Sequence, residues 1–111
     1  MAGPRHSVSV AAAIIDDENR VLVIRRRDNG NWEPPGGVLE LEESIPDGLK
    51  REVREETGLE IEVERLVGVY KNLELFVVAL VFRAHAIGGA LSVGDETAAF
   101  AWWSKADIHQ K

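Results

Sequence analysis

The sequence predicts an α/β/α sandwich on a mixed, partly antiparallel sheet. Short strand-like runs of period two lie on both sides of a single strongly capped helix. The chain of 111 residues is 45% hydrophobic, ordinary for one globular domain and too short for a second sizeable core. No repeat, low-complexity tract or linker interrupts residues 1–111, so one domain is expected over the whole chain.

Taken in order, Val8 to Ile15 and Arg20 to Arg27 read as strands joined by the turn Asp16-Asp17-Glu18-Asn19, a hairpin. The apolar stretch after Arg5 is faintly like a leader peptide, but it is short and runs into Asp16-Asp17-Glu18, so it reads as a first strand. Asp28 to Asn31 is loop, and Trp32 leads through Pro34-Pro35-Gly36-Gly37 towards the helix. Ser44 is placed as N-cap, Pro46 lies in the tolerant first turn and Asp47 completes a capping box. Gly58 supplies a left-handed stop, so the helix runs from Ile45 to Thr57. Leu59, Ile61 and Val63 then alternate with Glu60, Glu62 and Glu64, a half-exposed strand. Leu73 to Ala84 is mostly apolar, as a strand covered on both faces would be. Gly88-Gly89 turns the chain, Ala98 to Trp103 is a last strand, and Ser104 to Asp107 repeats the capping pattern shortly before Lys111.

Composition excludes several classes of chemistry. There is no Cys, hence no disulfide framework, thiolate nucleophile or thiolate metal site. His6, His85 and His109 are scattered without zinc spacing. A net charge of −6 disfavours a nucleic-acid or anionic-membrane surface. A nucleotide substrate stays compatible with it, because a bound metal reverses the local field. The densest apolar run, Leu73 to Phe82, is interrupted by Glu74 and too short to span a bilayer, so a soluble cytoplasmic protein is expected.

The helix carries a conflict that points to function. At 3.6 residues per turn, Ile45, Leu49 and Val53 form its apolar stripe, and Asp47, Lys50 and Arg54 face water. Glu56 projects between Ile45 and Leu49, Glu52 borders the same stripe, and Glu55 lies beside it. Acids near a helix C-terminus oppose the dipole, and Glu52 repels Glu56 at i,i+4. A divalent cation resolves this, because hard carboxylate oxygens shared with water and phosphate are what Mg²⁺ prefers. The plain alternative is a solvated, charge-rich helix, which the helical angles disfavour. Arg51 is spaced to pair with Glu55, a structural role. Gly48, costly inside a helix by roughly 1 kcal/mol, either keeps the carboxylate face open or packs closely against a neighbour.

Gly37, Glu43, Arg51, Glu52, Val53, Glu55, Glu56, Gly58 and Leu59 fall at the spacing G-x5-E-x7-R-E-U-x-E-E-x-G-U, with U a bulky aliphatic. All of these positions match the Nudix box, and the segment closely resembles that signature of metal-dependent hydrolases. Trp32, the Pro35-Gly36-Gly37 turn and Trp102-Trp103 extend the resemblance along nearly the whole chain. Two departures stand out: Glu42 occupies a position often held by Gly, and the final helix is shorter than relatives carry. The resemblance implies a Nudix-type sandwich with a truncated C-terminal helix. The sheet face left bare would then be covered by a further tail, the preferred remedy, or by a partner subunit in a homodimer.

The resemblance also implies a reaction, substitution at phosphorus by water with Mg²⁺, or Mn²⁺ in its place. The implied metal set is Glu52, Glu55 and Glu56, with the Gly36-Gly37 backbone allowing close approach of metal and phosphates. Glu43 falls to a supporting role. The general base is either a box Glu or an acid in the loop before the last strand, where Glu96 stands beside Asp95. Strand alternation sets Arg25 and Arg27 on one face and Arg26 on the other; either set could contact phosphate, with Arg25 and Arg27 taken as the candidates, and the plain reading of all three is edge protection. Trp32, Tyr70 and Phe76 are candidates to stack a base, although aromatic residues more often serve the core. A MutT-like nucleoside triphosphate pyrophosphohydrolase is the leading expectation. ADP-ribose or a nucleotide sugar is the alternative substrate, and a nucleotide-binding module without catalysis is the alternative class.

Overall fold

A computed structural model describes residues 5–110, without the side chains of residues 109 and 110, so His109 and Lys111 lie outside what can be compared. Seven strands and two helices follow in the order β1 (Ser7–Ile14), β2 (Val21–Arg26), β3 (Trp32–Glu33), β4 (Gly36–Val38), α1 (Ile45–Thr57), β5 (Leu59–Asn72), β6 (Val77–Gly89), β7 (Thr97–Trp103) and α2 (Lys105–Gln110). They form a mixed four-stranded sheet, β4-β1-β6-β5, and a three-stranded antiparallel sheet, β3-β2-β7. Among the described residues the only parallel pair is β1 with β6, in register from Ser7↔Val77 to Ile14↔Ala84. This is the expected α/β class with a mixed sheet and one main helix.

The first expected hairpin is corrected. Asp16 does make the turn, its Oδ1 accepting from the backbone N–H of Glu18 (3.0 Å) and Arg20 (2.8 Å). Beyond it, β1 and β2 share only the single bridge Ile15↔Val21 and then part into different sheets. A strand has two hydrogen-bonding edges, and those of β1 are taken by β4 and β6 while those of β2 are taken by β3 and β7.

The apolar segment 73–84 is corrected too. Residues 73–76 are the turn of a long β5–β6 hairpin, and the strand begins at Val77. Asn72 is the cause: its Oδ1 accepts from the N–H of Glu74 (2.9 Å) and Leu75 (3.0 Å), an Asx turn that reverses the chain within an apolar run. The strand is not covered on both faces, since Val77 to Arg83 are half-buried and only Ala84 is sealed. Gly88-Gly89 does not turn the chain either; both still pair with β5, at Glu60 and Leu59.

The core lies between α1 and the four-stranded sheet. Val10, Ala12 and Ile14 of β1 meet Leu49 and Val53 of α1 and Leu59 and Ile61 of β5, with Leu22 of β2 beneath. Period-two alternation in β1 and β5 and the i,i+4 pair in α1 put these residues on facing surfaces. Ile45, the third member of the helical stripe, sits at the helix mouth and is only partly covered. No helix among the described residues is long and apolar enough to cross a membrane.

Candidate active site

The phase of α1 is fixed at both ends. Ser44 accepts from Asp47 N–H (3.2 Å), and Gly58, at φ 82°, donates to the Arg54 carbonyl (2.9 Å). Thr57, buried in the last turn, donates to the Val53 carbonyl (2.6 Å) and accepts from Leu59 N–H (3.0 Å), tying the helix to β5. With Leu49 and Val53 locked in the core, Glu52, Glu55 and Glu56 can point only along the side that meets β4 and the loop before β7.

Arg51 organises these acids. Its Nε and Nη2 grip both oxygens of Glu43 (2.9 and 2.7 Å), a bidentate pair, and its Nη1 reaches Glu52 (3.0 Å) and Glu55 (3.2 Å). The expected Arg51–Glu55 contact is therefore present, but the closer partner is Glu43, eight residues earlier. Held by Arg51 and by the N–H of Glu40, the Glu43 carboxyl is pulled down to about 2. Gly48 packs against the Leu39 side chain and the Glu43 carboxylate, which favours the close-packing reading of that glycine.

Glu52 and Glu56 are short of such compensation. Burial raises both, for Glu52 against the pull of Arg51. Glu56 is pushed up to about 7 by burial and by the nearby Glu52 and Glu33 carboxylates. The Gly36 N–H, donating to Glu56 Oε1 at 2.6 Å, and Arg26 work the other way. Gly36 and Gly37 have no room for a side chain: a Cβ would strike the Val10 carbonyl at the first and the Glu52 carboxylate at the second.

The loop before β7 completes the arrangement. Asp95 and Glu96 face Glu55 and Glu56 across a cleft of about 230 Å³ that Thr97 also lines. Thr97 is buried, and its Oγ1 has no hydrogen-bond partner among the described residues. An adjoining cleft of about 300 Å³ is lined by Arg26, Arg27, Asp28 and the same two acids. Arg27 fastens the loop, its backbone N–H donating to the Glu96 carbonyl (3.0 Å) and its Nε to the Gly94 carbonyl (3.2 Å).

Strand alternation separates Arg25 from Arg26 as expected, but it does not place Arg27, which lies beyond the end of β2 and joins Arg26 at the cleft. The β2–β7 register slips between Arg25 and Arg26. Arg26 turns towards the acids, pairing with Asp28 (2.7 Å) and Glu33 (3.1 Å), whereas Arg25 lies on the other side against Gly30. The structure thus gathers Glu55, Glu56, Glu96 and Arg27 around two joined clefts, with Glu52, Gly36 and Gly37 at their edge, and leaves Arg25 outside. Arg26, the alternative phosphate candidate of the sequence, joins the group, as do Glu33 and Thr97, which the sequence did not single out. The Glu before the Pro-Pro-Gly-Gly turn was the one available signal for Glu33.

The donor set suits a hard divalent cation. Two desolvated carboxylates, Glu52 and Glu56, lack full compensation, and Glu56 shares a cleft with Glu55, Asp95 and Glu96. No three acids among the described residues are already drawn into a ligand cluster, because Glu52 is turned onto Arg51 and Glu56 onto Gly36.

Comparison with known proteins agrees with this chemistry. The NUDIX domain model matches residues 5–111. A MutT-like protein of Streptomyces ambofaciens is 48% identical over 108 residues, which are 97% of this chain and 70% of that protein. An ADP-ribose pyrophosphatase of Methanocaldococcus jannaschii is 36% identical over 98 residues, 82% of this chain and 58% of that one, so the chain spans little more than half of this relative's length. The crystal structure of a MutT Nudix hydrolase from Burkholderia pseudomallei superposes with a TM-score of 0.84 at 31% identity, covering 94% of this chain and 87% of the other. The chain belongs to the Nudix hydrolase family, whose members generally use divalent metals and act on nucleotide diphosphate-linked substrates.

Proposed function

We propose that this protein is a Mg²⁺-dependent nucleoside triphosphate pyrophosphohydrolase of the MutT-like kind, with Mn²⁺ able to replace Mg²⁺, acting in the cytoplasm as one domain over residues 1–111. The observation that carries the reading is the cleft in which Glu55 and Glu56 face Asp95 and Glu96, with two arginines in the cleft beside it. The similarity to the S. ambofaciens MutT-like protein over 97% of this chain supports the MutT-like kind.

Glu52, Glu55 and Glu56, with the Gly37 backbone, would hold the metal. When bound, the metal neutralises diphosphate oxygens and lowers the pKa of attacking water. The chain's own groups do the rest. Glu96 takes the proton from the water that attacks phosphorus, a role open to it because its loop is pinned by Arg27 opposite the box acids. Arg26 and Arg27 offset charge on the departing phosphate oxygens. Gly36, bare of a side chain, lets β4 close on β1, and Gly37 leaves the Glu52 carboxylate its place against the backbone along which the diphosphate would approach. Arg51 and Glu43 form the brace that aims Glu52 and Glu55.

A second reading, hydrolysis of ADP-ribose or a nucleotide sugar, draws on the M. jannaschii relative. A binding module without catalysis would be expected to lack part of the acid set, and here the box acids are complete. The deciding experiment incubates the protein and Mg²⁺ with nucleoside triphosphates, ADP-ribose, dinucleoside polyphosphates and nucleotide sugars, and identifies both products. Release of pyrophosphate and a nucleoside monophosphate is expected. Turnover confined to ADP-ribose would overturn the first reading, and turnover of none would overturn catalysis.

A further inference from the structure

The tip of the β5–β6 hairpin and the loop between β4 and α1 together carry apolar surface that the proposed reaction does not use. Val38, Leu41, Leu73, Leu75 and Phe76 are all more than half exposed, Leu41 completely. They are contiguous: clefts of about 940 Å³ and 480 Å³ share Arg5, His6 and Phe76 and between them contain all five. Phe76 is held outward with φ at 54°, a conformation bulky residues seldom take. Its carbonyl accepts from Ser7 N–H (3.1 Å) and its ring meets His6 edge-on at 6.4 Å, so the display is fixed.

We propose that this groove is the interface of a two-fold homodimer. Area is the first argument. At ~200 Å² per large side chain, the five residues expose roughly 700 Å². That exceeds the patch most monomers carry and is close to the ~800 Å² each partner of a standard interface buries.

Charge is the second argument. Glu40 and Glu42 stand in the larger cleft, and Lys71 lines the smaller one with Arg5 between the two. A two-fold axis turns such a surface onto itself, setting Arg5 and Lys71 of one copy against Glu42 of the other, while Glu40 keeps its own partner Arg51 at 3.7 Å. A small anion or cation in the groove would instead meet its own charge on one wall. The inference is independent of which diphosphate the enzyme cleaves, because Arg5, Lys71, Glu42 and the five apolar side chains do not line the acid cleft.

The test is sedimentation velocity on the whole chain from micromolar to submillimolar concentration. A species of twice the 12.3 kDa chain mass is expected. The double variant Leu75→Glu/Phe76→Glu should weaken association by at least ~30-fold, the scale of losing one hot spot. Lys71→Glu should weaken it as well, and Glu42→Lys added to that variant should restore it. Ile87→Glu, on an exposed residue at the other end of β6, should change nothing, and circular dichroism of each variant reports folding. A monomer at every concentration would overturn the proposal. So would a dimer that Leu75→Glu/Phe76→Glu leaves intact, or a Lys71→Glu defect that Glu42→Lys does not reverse.

Discussion

Glu56 is the residue in which structure and chemistry conflict most. It is desolvated, near two other carboxylates, and held by a single backbone N–H at 2.6 Å. Such a group gains most from a cation, so Glu56→Gln, and likewise Glu55→Gln, should reduce kcat by at least ~100-fold with the fold intact, the scale of losing one electrostatic stabiliser. Steady-state rates on a confirmed substrate, beside a thermal melt, are the measurement; unchanged turnover would remove these residues from the site. Glu96 is open to a separate test. As base, its replacement by Gln should lower kcat by about 10²–10⁴-fold while KM and metal affinity stay near the parent values. Full activity in Glu96→Gln would pass the role to a box acid, Glu52 first.

At the scale of the element, α1 matters because its ends fix its rotation and its rotation aims the acids. Gly58 ends it with φ at 82°, and a Cβ there would meet the Ala90 carbonyl. Left-handed backbone alone costs an L-residue about 1–2 kcal/mol, and the contact adds to it. Gly58→Ala should therefore lower the melting temperature by roughly 4–8 °C or more for a domain of this size. Calorimetry decides it, and a variant melting with the parent would show that the cap is not what holds the helix end. The helix was legible from the sequence because its signals are local: Ser44, Asp47 and Gly58 act within one turn of themselves. The Arg51–Glu43 pair was not legible, since it joins the helix to the loop before it and depends on where that loop packs.

For the whole molecule, metal, proton and fold are linked. The folded-state value of Glu56 lies near 7 against an ordinary 4.5, so its contribution is fully present below pH 4.5 and is lost as pH rises through 7. Glu52 shifts in the same direction. Glu43 acts oppositely: its contribution is present above its ordinary 4.5 and is lost as pH falls through about 2. Without metal, the protein should therefore lose stability between mildly acidic pH and pH 8. Mg²⁺, which binds only the folded acids, should raise the melting temperature far more at pH 8 than at pH 5. Melts with and without Mg²⁺ across this range check it, and Glu56→Gln should flatten the metal-free profile. An equal Mg²⁺ effect at both ends would contradict the assignment of Glu56.

The sequence by itself determined what depends on near neighbours. The limits of α1, the acids on its core-facing side, the alternation of β5 and the family follow from caps, helical angle and spacing. Only the tertiary structure decided what depends on distant pairing. The saturated edges of β1 and β2 split the expected sheet in two, and Asn72 converted the start of an apolar run into a turn. Packing of β2 against β3 and β7 decided that Arg26, not Arg25, faces the acids. A helix satisfies its own backbone hydrogen bonds within four residues, whereas a strand must find its partners elsewhere in the chain, and a single-residue slip there reverses which side chain faces the site.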